Sequence, residues 1–302
     1  MQPLVSVIIP TFGDGNTLLQ TIQSALDQSY KNIEVVVVDD NGRNSYNHSK
    51  IESIMQRFIG KANVKYIVHE HNINGAAARN TGVKASSGEY IALLDDDDVY
   101  YPYNIEKQLK ILRNLNSNYA MTCCLQESYL NGRLIERQKK LPQNINLYGV
   151  LMHKYTIASS SMLIRKKVWE EIDGFDETFK RHQDWEFVAR VVSKYKIMPV
   201  DYVGFRYNML FRNSPPNVLT SEKYRLHYLK AMEPLMNELT TSQKKDVVVY
   251  NQLAVAIDWI KVKNYRMFVE KCIFIRPGYR LFLFLMHRIL IILKRKRLRV
   301  KL

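Results

Sequence analysis

Cysteine is scarce in this chain of 302 residues, which contains only three. Cys123 and Cys124 are adjacent, and Cys272 stands alone. This arrangement excludes a disulfide framework, and it lacks the paired spacing of a structural zinc site. A reducing compartment such as the cytosol therefore fits the cysteine content.

Two motifs are also absent. The apolar run Val5–Ile9 has no basic segment before it and leads directly into Pro10, so we expect no secretory leader. The stretch Pro10–Gly15 that follows lacks the three-glycine pattern that binds the pyrophosphate of a dinucleotide. This second absence argues against a dinucleotide-dependent oxidoreductase.

Acidic residues are almost missing from the C-terminal region. From Lys261 onward, thirteen Lys and Arg stand against one acid, Glu270, in a chain whose formal net charge is +15. The remainder of the chain is therefore close to neutral, and the basic character belongs to a tail. The chain is otherwise 46% apolar and 11% aromatic, which is typical of a globular protein with a substantial core.

The end of the chain combines apolar and basic residues. As a helix, Tyr279–Leu293 would span about 22 Å, which is short of a bilayer core of about 30 Å. Arg280, His287 and Lys294 recur every seven residues among Leu, Ile and Phe, and a basic cluster follows. This pattern predicts a helix in the headgroup region of an anionic membrane. Two other interpretations stay open, namely packing on this chain or a partner protein, and nucleic-acid binding, which no base-reading motif supports.

Strand-length apolar runs alternate with segments of helical spacing through the first hundred residues. The runs are Val5–Ile9, Ile33–Val38, Val64–Val68 and Tyr90–Leu94. This order predicts a doubly wound, mostly parallel α/β sheet, in which ligands bind beyond the carboxyl ends of the strands. The candidate site residues at those ends are Pro10–Phe12, Asp39–Asp40 and Asp95–Asp98.

The four consecutive aspartates Asp95–Asp98 repel one another unless a cation or solvent compensates. A cation site and a solvated acidic turn are both open from this run alone. In an extended chain, Asp95 and Asp97 would share one side and Asp96 and Asp98 the other. Two oxygen donors on one side suit Mg²⁺ or Mn²⁺.

The pattern changes after the first hundred residues. Ala120–Tyr129 and Leu134–Gln138 flank Asn131-Gly132, which predicts an antiparallel hairpin and, with it, a small antiparallel sheet. From Ser221 the chain has the pattern of successive helices. We therefore expect a helical extension after the α/β part.

Several side chains have the chemistry that a transfer site requires. Phe12 can stack on a nucleobase, Asp40 can accept from an imide N–H, and Asp184 can take a proton. For Asp184 the alternative is that an acid in the first turn only favours the helix dipole. Weaker candidates for contact with a sugar or an acceptor are His182, Trp185, Glu186 and Arg212. A core position for Trp185 and ordinary surface-loop chemistry for Arg212 explain those two residues equally well.

Five segments together resemble glycosyltransferase family 2, whose members are inverting enzymes with the GT-A fold. The segments are Val5–Phe12, Val37–Gly42, Asn72–Gly82, Leu94–Asp98 and Gly174–Glu177. The resemblance covers roughly residues 4–210, and the segments occur in the family's order. It implies a metal-dependent transferase that uses a nucleotide-diphospho-sugar, in the manner of enzymes of bacterial polysaccharide biosynthesis.

The resemblance also implies residue roles. Nucleotide binding would involve Pro10, Thr11, Phe12, Asp40, Arg79, Asp95 and Asp96. Asp97 and Asp95 would hold Mn²⁺ or Mg²⁺, and Asp184 would be the general base. The chain departs from the family at two places, with Phe12-Gly13 where Tyr-Asn is frequent and Gln183-Asp184 where Glu-Asp is frequent.

The implied organisation is a GT-A domain over residues 1–215, with a nucleotide-binding half at 1–100 and an acceptor half at 101–215. A helical region would occupy 216–302, and its tail at 279–302 would contact an anionic membrane. The expected partners, as the resemblance implies them, are a uridine-based nucleotide-sugar donor and a glycan acceptor on polyprenyl diphosphate. We expect no nucleic acid, and a homo-oligomer is compatible with the sequence. The expected location is cytoplasmic, peripheral on the inner face of the cell membrane.

A hypothesis from a different class is a non-catalytic module on the same fold that binds a carbohydrate or a partner protein. The presence of both the acidic run and Asp184 argues against it, because a binding module needs neither a cation site nor a base.

Overall fold

The computed structural model describes residues 2–209 and 217–275. The strands in these residues are β1 Val5–Thr11, β2 Ile33–Asp39, β3 Val64–Val68, β4 Tyr90–Leu93, β5 Val99–Tyr100, β6 Tyr119–Leu130, β7 Arg133–Arg137, β8 Met162–Arg165 and β9 Lys196–Met209. The helices are α1 Leu18–Leu26, α2 Tyr46–Met55, α3 Gly75–Ala85, α4 Asn104–Arg113, α5 Leu147–Leu151, α6 Lys166–Glu171, α7 Gln183–Lys194, α8 Val218–Met236, α9 Thr241–Lys261 and α10 Tyr265–Ile275.

The first four strands form a parallel sheet in the order β3-β2-β1-β4. All seven residues of β1 and all seven of β2 are buried, as expected for Val- and Ile-rich strands that helices cover on both faces. On one face, α3 lies very close to the sheet because Gly82 has no side chain. A Cβ atom there would lie 2.5 Å from Cγ2 of Ile8.

The antiparallel strands continue the same sheet and do not form a separate one. β8 pairs antiparallel with both β4 and β6, β9 runs parallel to β6, and β5 pairs antiparallel with β9. The predicted hairpin is present as β6 and β7. The result is one nine-stranded sheet in the order β3-β2-β1-β4-β8-β6-β9-β5, with β7 beside β6.

Register decides which residues meet beyond the carboxyl ends of the parallel strands. Ile8 of β1 pairs with Leu93 of β4. Three residues further along each chain are Thr11 and Asp96, whose side chains are in hydrogen-bond contact. The register therefore places the acidic run beside the end of β1.

The described residues divide into two compact units, one of residues 2–150 and 155–209 and another of residues 151–154 and 217–275. The second unit contains α8, α9 and α10. Thr240 and Gln243 form a capping box at the start of α9, which satisfies two backbone N–H groups that the helix leaves free. Val249, Leu253 and Ile257 of α9 form its apolar cluster.

None of the helices within residues 2–209 and 217–275 combines the length and the apolar character that a bilayer crossing requires.

Candidate active site

The acidic run Asp95–Asp98 forms a turn after β4. The N–H of Asp98 donates to the carbonyl of Asp95 at 3.0 Å, so the chain is not extended here. The predicted strict alternation of side chains is therefore wrong, because Asp96 and Asp98 contact different elements and do not share one side. The structure directs Asp95 to α3, Asp96 to β1 and Asp98 to Ser160.

Asp96 connects the turn to the end of β1. Its Oδ2 accepts from Thr11 Oγ1 at 2.6 Å and from the N–H of Phe12 at 3.3 Å. Burial raises the pKa of Asp96 to about 6, and the neighbouring Asp95 acts in the same direction. Asp96 thus fixes the backbone that carries Phe12.

Arg79 joins the acidic turn to the start of α7. This buried side chain donates through Nη2 to Asp95 Oδ1, and through Nη1 to Gln183 Oε1 at 3.1 Å and to the carbonyl of Gly75 at 3.0 Å. Its guanidinium also lies 5.5 Å from the centre of the Phe175 ring. Gln183, a departure from the family pattern, is therefore a neutral partner of Arg79.

Asp184 is the second residue of α7 and is half-buried. Its Oδ1 accepts from the N–H of Trp185 at 3.0 Å. Burial raises the pKa of Asp184 to about 6, with Arg79 lowering it and Asp95 raising it. A carboxylate in this state is ionised at neutral pH and is a stronger base than an exposed aspartate.

A second set of contacts supports the acidic turn, and sequence reasoning missed it. Ser160 Oγ donates to Asp98 Oδ2 at 2.6 Å and accepts from the N–H of Asp95 at 3.0 Å. The side chain of Asn208, on β9, donates to the carbonyl of Asp97 at 2.6 Å. Asp98 is fully buried, and burial raises its pKa well above the usual range. No local pattern around Ser160 or Asn208 signals this role, because both reach the turn from segments far along the chain, Ser160 from the turn before β8 and Asn208 from β9.

The predicted nucleoside residues lie at the ends of β1 and β2. Pro10 and Thr11 are buried in β1, whereas Phe12 is 65% exposed and available for stacking. Asp40 is buried. Its Oδ1 lies 2.7 Å from Nδ1 of His69 and accepts from the N–H of Ile73 at 2.9 Å, and its Oδ2 accepts from Asn72. Asp40 thus anchors the loop after β3, a role that the sequence did not suggest.

Among the weaker candidates, Glu186 requires a correction. Glu186 is 3% exposed, and Arg190 of the same helix binds both of its carboxylate oxygens. Arg190 in turn donates to the carbonyls of Ile172 and Gly174. Glu186 therefore stabilises the packing of α7 and is not available to a sugar or an acceptor.

Two other weak candidates lie beside Asp184. The rings of His182 and Trp185 stack with a centroid separation of 4.0 Å. His182 precedes α7 in the left-handed conformation, with φ of 65°. Arg212 and the predicted membrane segment 279–302 lie outside the described residues.

The residues present can accommodate a divalent cation only with help from a ligand. Within residues 2–209 and 217–275, no three His, Cys, Asp or Glu side chains are grouped so as to hold a metal. Arg79 donates to Asp95 through Oδ1, and the half-buried Asp97 belongs to the same turn. Mg²⁺ commonly uses one or two carboxylates together with substrate phosphates and water. Asp95 and Asp97 fit that donor set.

Comparison with known proteins identifies relatives for most of the chain. The family model described as Glycosyl transferase family 2 matches residues 6–173. An uncharacterized glycosyltransferase of Rickettsia bellii is 34% identical over 207 residues, which are 64% of this chain and 28% of that protein. The amylovoran biosynthesis glycosyltransferase AmsB of Erwinia amylovora is 26% identical over 254 residues, which are 81% of each chain. The chain thus spans less than a third of the Rickettsia bellii protein but most of AmsB.

Solved structures of TarS from S. aureus have a similar fold. TarS 1–349 aligns with a TM-score of 0.62 and 17% identity over 87% of this chain and 82% of that one. The complex of TarS 1–349 with UDP-GlcNAc aligns with a TM-score of 0.62 and 15% identity over 91% of this chain and 93% of that one. These likenesses confirm the predicted GT-A fold.

Proposed function

Because this chain belongs to glycosyl transferase family 2, we propose that it moves a sugar from a nucleotide-diphospho-sugar to a hydroxyl group of a glycan, with inversion at the anomeric carbon. The observation that carries this proposal is the contact of Arg79 with both Asp95 and Gln183. Through it, the acidic turn and the start of α7, which carries Asp184, become parts of one site. Such a site can bind a diphosphate and accept a proton.

In the proposed reaction Asp184 takes the proton of the acceptor hydroxyl as that oxygen attacks the anomeric carbon. The bond between the anomeric carbon and the phosphate oxygen breaks, and the nucleoside diphosphate leaves with the electron pair. Asp95 and Asp97 would hold a divalent cation, which would supply positive charge that stabilises the departing diphosphate. Arg79 orients Asp95. Asp96 holds the backbone of Phe12, whose ring stacks on the nucleobase.

For the donor we propose a uridine diphosphate sugar. The exposed ring of Phe12 offers a stacking surface at the end of β1, and TarS, with a similar fold, has been crystallised with UDP and with UDP-GlcNAc. The nucleobase would contact Asp40. The Asp40 carboxylate is already oriented by its hydrogen-bond contacts with His69, Asn72 and the N–H of Ile73.

For the acceptor we propose a growing cell-surface polysaccharide, such as a capsule or exopolysaccharide, on a polyprenyl diphosphate carrier. AmsB is named for amylovoran biosynthesis and matches over 81% of this chain. The basic, apolar segment 279–302 would hold the enzyme at the cytoplasmic face of the membrane, where such a carrier is accessible. In this proposal residues 1–215 perform the transfer and residues 216–302 provide the membrane contact.

A thermal-shift panel of sugar nucleotides, each with and without Mn²⁺, tests this function. We expect one uridine diphosphate sugar to raise the melting temperature more in the presence of Mn²⁺, and the Asp97→Ala variant to lose that increment. The same shift in both metal conditions would contradict the cation site. Donor binding without hydrolysis or transfer to any acceptor would favour the non-catalytic binding module.

A further inference from the structure

Helix α10 has apolar residues on two sides. Cys272 and Ile275 pack against the apolar cluster of α9. On the exposed side, Tyr265, Val269 and Ile273 recur every four residues and are 61%, 52% and 67% exposed. Residues four apart lie on one face of a helix, so these three side chains form a continuous stripe, here named the α10 stripe.

The residues that follow α10 indicate what covers this stripe. After Ile275 the chain continues for 27 residues that contain nine Lys and Arg and no Asp or Glu. A cover for the stripe must therefore be compatible with the positive charge of the segment that follows α10 in the sequence. Anionic lipid headgroups over an apolar layer meet both requirements at once.

Charge disfavours the other covers. Residues 217–275 of the second unit contain nine Lys and Arg and six Asp and Glu, so this unit has no acidic surplus for the basic segment. A second copy of the chain would bring the same positive charge to the interface, and like charges that meet there repel. An external anionic surface has neither disadvantage.

We propose that α10 lies in the interface of an anionic bilayer, with Tyr265, Val269 and Ile273 inserted at the boundary between headgroups and acyl chains. This inference rests on the membrane contact proposed above for residues 279–302 and extends it into the second unit. The stripe covers about 12 Å of helix, and tyrosine favours this boundary because its ring is apolar and its hydroxyl polar. In this proposal α10 of the second unit contacts the membrane in addition to residues 279–302.

Cosedimentation of the full-length protein with vesicles tests the inference. The vesicles contain phosphatidylcholine alone or with about 30% phosphatidylglycerol. The test variant is Val269→Gln with Ile273→Gln, which removes apolar surface without adding charge. Ile59→Gln is the matched control, because Ile59 is 72% exposed and belongs to the first unit.

We expect the double variant to bind the phosphatidylglycerol vesicles about tenfold more weakly than the wild type, whereas Ile59→Gln binds as the wild type does. Equal binding by the double variant and the wild type would overturn the inference and leave the tail as the membrane contact. Absence of wild-type binding would overturn the inference and the proposed membrane contact together. The thermal shift with a sugar nucleotide reports separately on the transferase site.

Two further measurements detect other covers for the stripe. A change of oligomeric state in the double variant, measured by light scattering, would show that a second copy covers it. A lower melting temperature would show that the stripe packs within the chain. Either result would overturn the bilayer as its partner.

Discussion

Burial determines the acid–base behaviour of Asp184 at the scale of the single residue. Its pKa is raised to about 6, whereas an exposed aspartate titrates near about 4. A base must be deprotonated to accept a proton, so kcat/KM should rise with pH through about 6 and level off above it. The measurement is a pH profile of sugar transfer at saturating cation. If the rise of kcat/KM instead had its midpoint at about pH 4, the profile would contradict the role of a buried base.

The same burial has a consequence for stability. Because the folded pKa of Asp184 lies above its unfolded value, this carboxyl lowers stability as pH rises from about 4 to about 6. Asp184→Asn removes that effect. We expect the variant to be more stable than the wild type by about 1–3 kcal/mol at neutral pH, and about equal to it near pH 4. Thermal unfolding at the two pH values measures this difference, and a less stable variant at neutral pH would contradict it.

Individual residues differ in how far the sequence predicts their positions and roles in the site. Phe12 and Asp184 stand in recognisable segments, and the structure places Phe12 exposed at a strand end and Asp184 at the start of α7. Glu186 lies with Asp184 in the first turn of α7. Its carboxylate is nevertheless bound by Arg190 and is not available to a substrate. The role of Gln183 depends on Arg79, more than a hundred residues earlier in the chain. Such tertiary partners have no local signature.

At the scale of elements, the acidic turn is held from β9. The hydrogen bond from Asn208 to the carbonyl of Asp97 fixes the turn that presents the predicted cation ligands. Asn208→Ala should therefore raise the Mn²⁺ concentration for half-maximal activity about tenfold, because one such bond contributes about 1 kcal/mol or more when an acceptor is left unsatisfied. Asn118→Ala, in an exposed loop of the same unit, is the matched control. An unchanged Mn²⁺ requirement in Asn208→Ala would show that β9 does not position the turn.

The elements themselves were predictable where local periodicity is strong. The runs of Val and Ile that form β1 and β2 are buried on both faces, as predicted for a parallel sheet. The geometry of Asp95–Asp98 was not, because the argument from alternation assumed an extended chain. The insertion of β8 between β4 and β6 was not predictable either, because strand pairing depends on contacts between segments far apart in sequence.

At the scale of the whole molecule, charge is concentrated at one end of the chain. Replacing Lys294, Arg295, Lys296 and Arg297 with glutamine removes four of the thirteen basic residues after position 260. We expect this variant to lose most of its binding to phosphatidylglycerol vesicles at low salt, since each basic residue near such a surface contributes about 1 kcal/mol. Wild-type binding should weaken as salt is added. Salt-independent binding, or equal binding by the variant, would contradict an electrostatic contact.

The central claim is that the acidic turn and Asp184 form one transferase site with separate tasks, donor binding and proton transfer. Its most direct test is to measure sugar transfer and the affinity for UDP with Mn²⁺ in the Asp184→Asn variant. Asp201→Asn, on the exposed surface, serves as the control. The account predicts a loss of turnover of about 10² to 10⁴-fold in Asp184→Asn, with the Kd for UDP within about twofold of the wild type. Near-wild-type turnover, or a loss of UDP affinity as large as the loss of turnover, would contradict it.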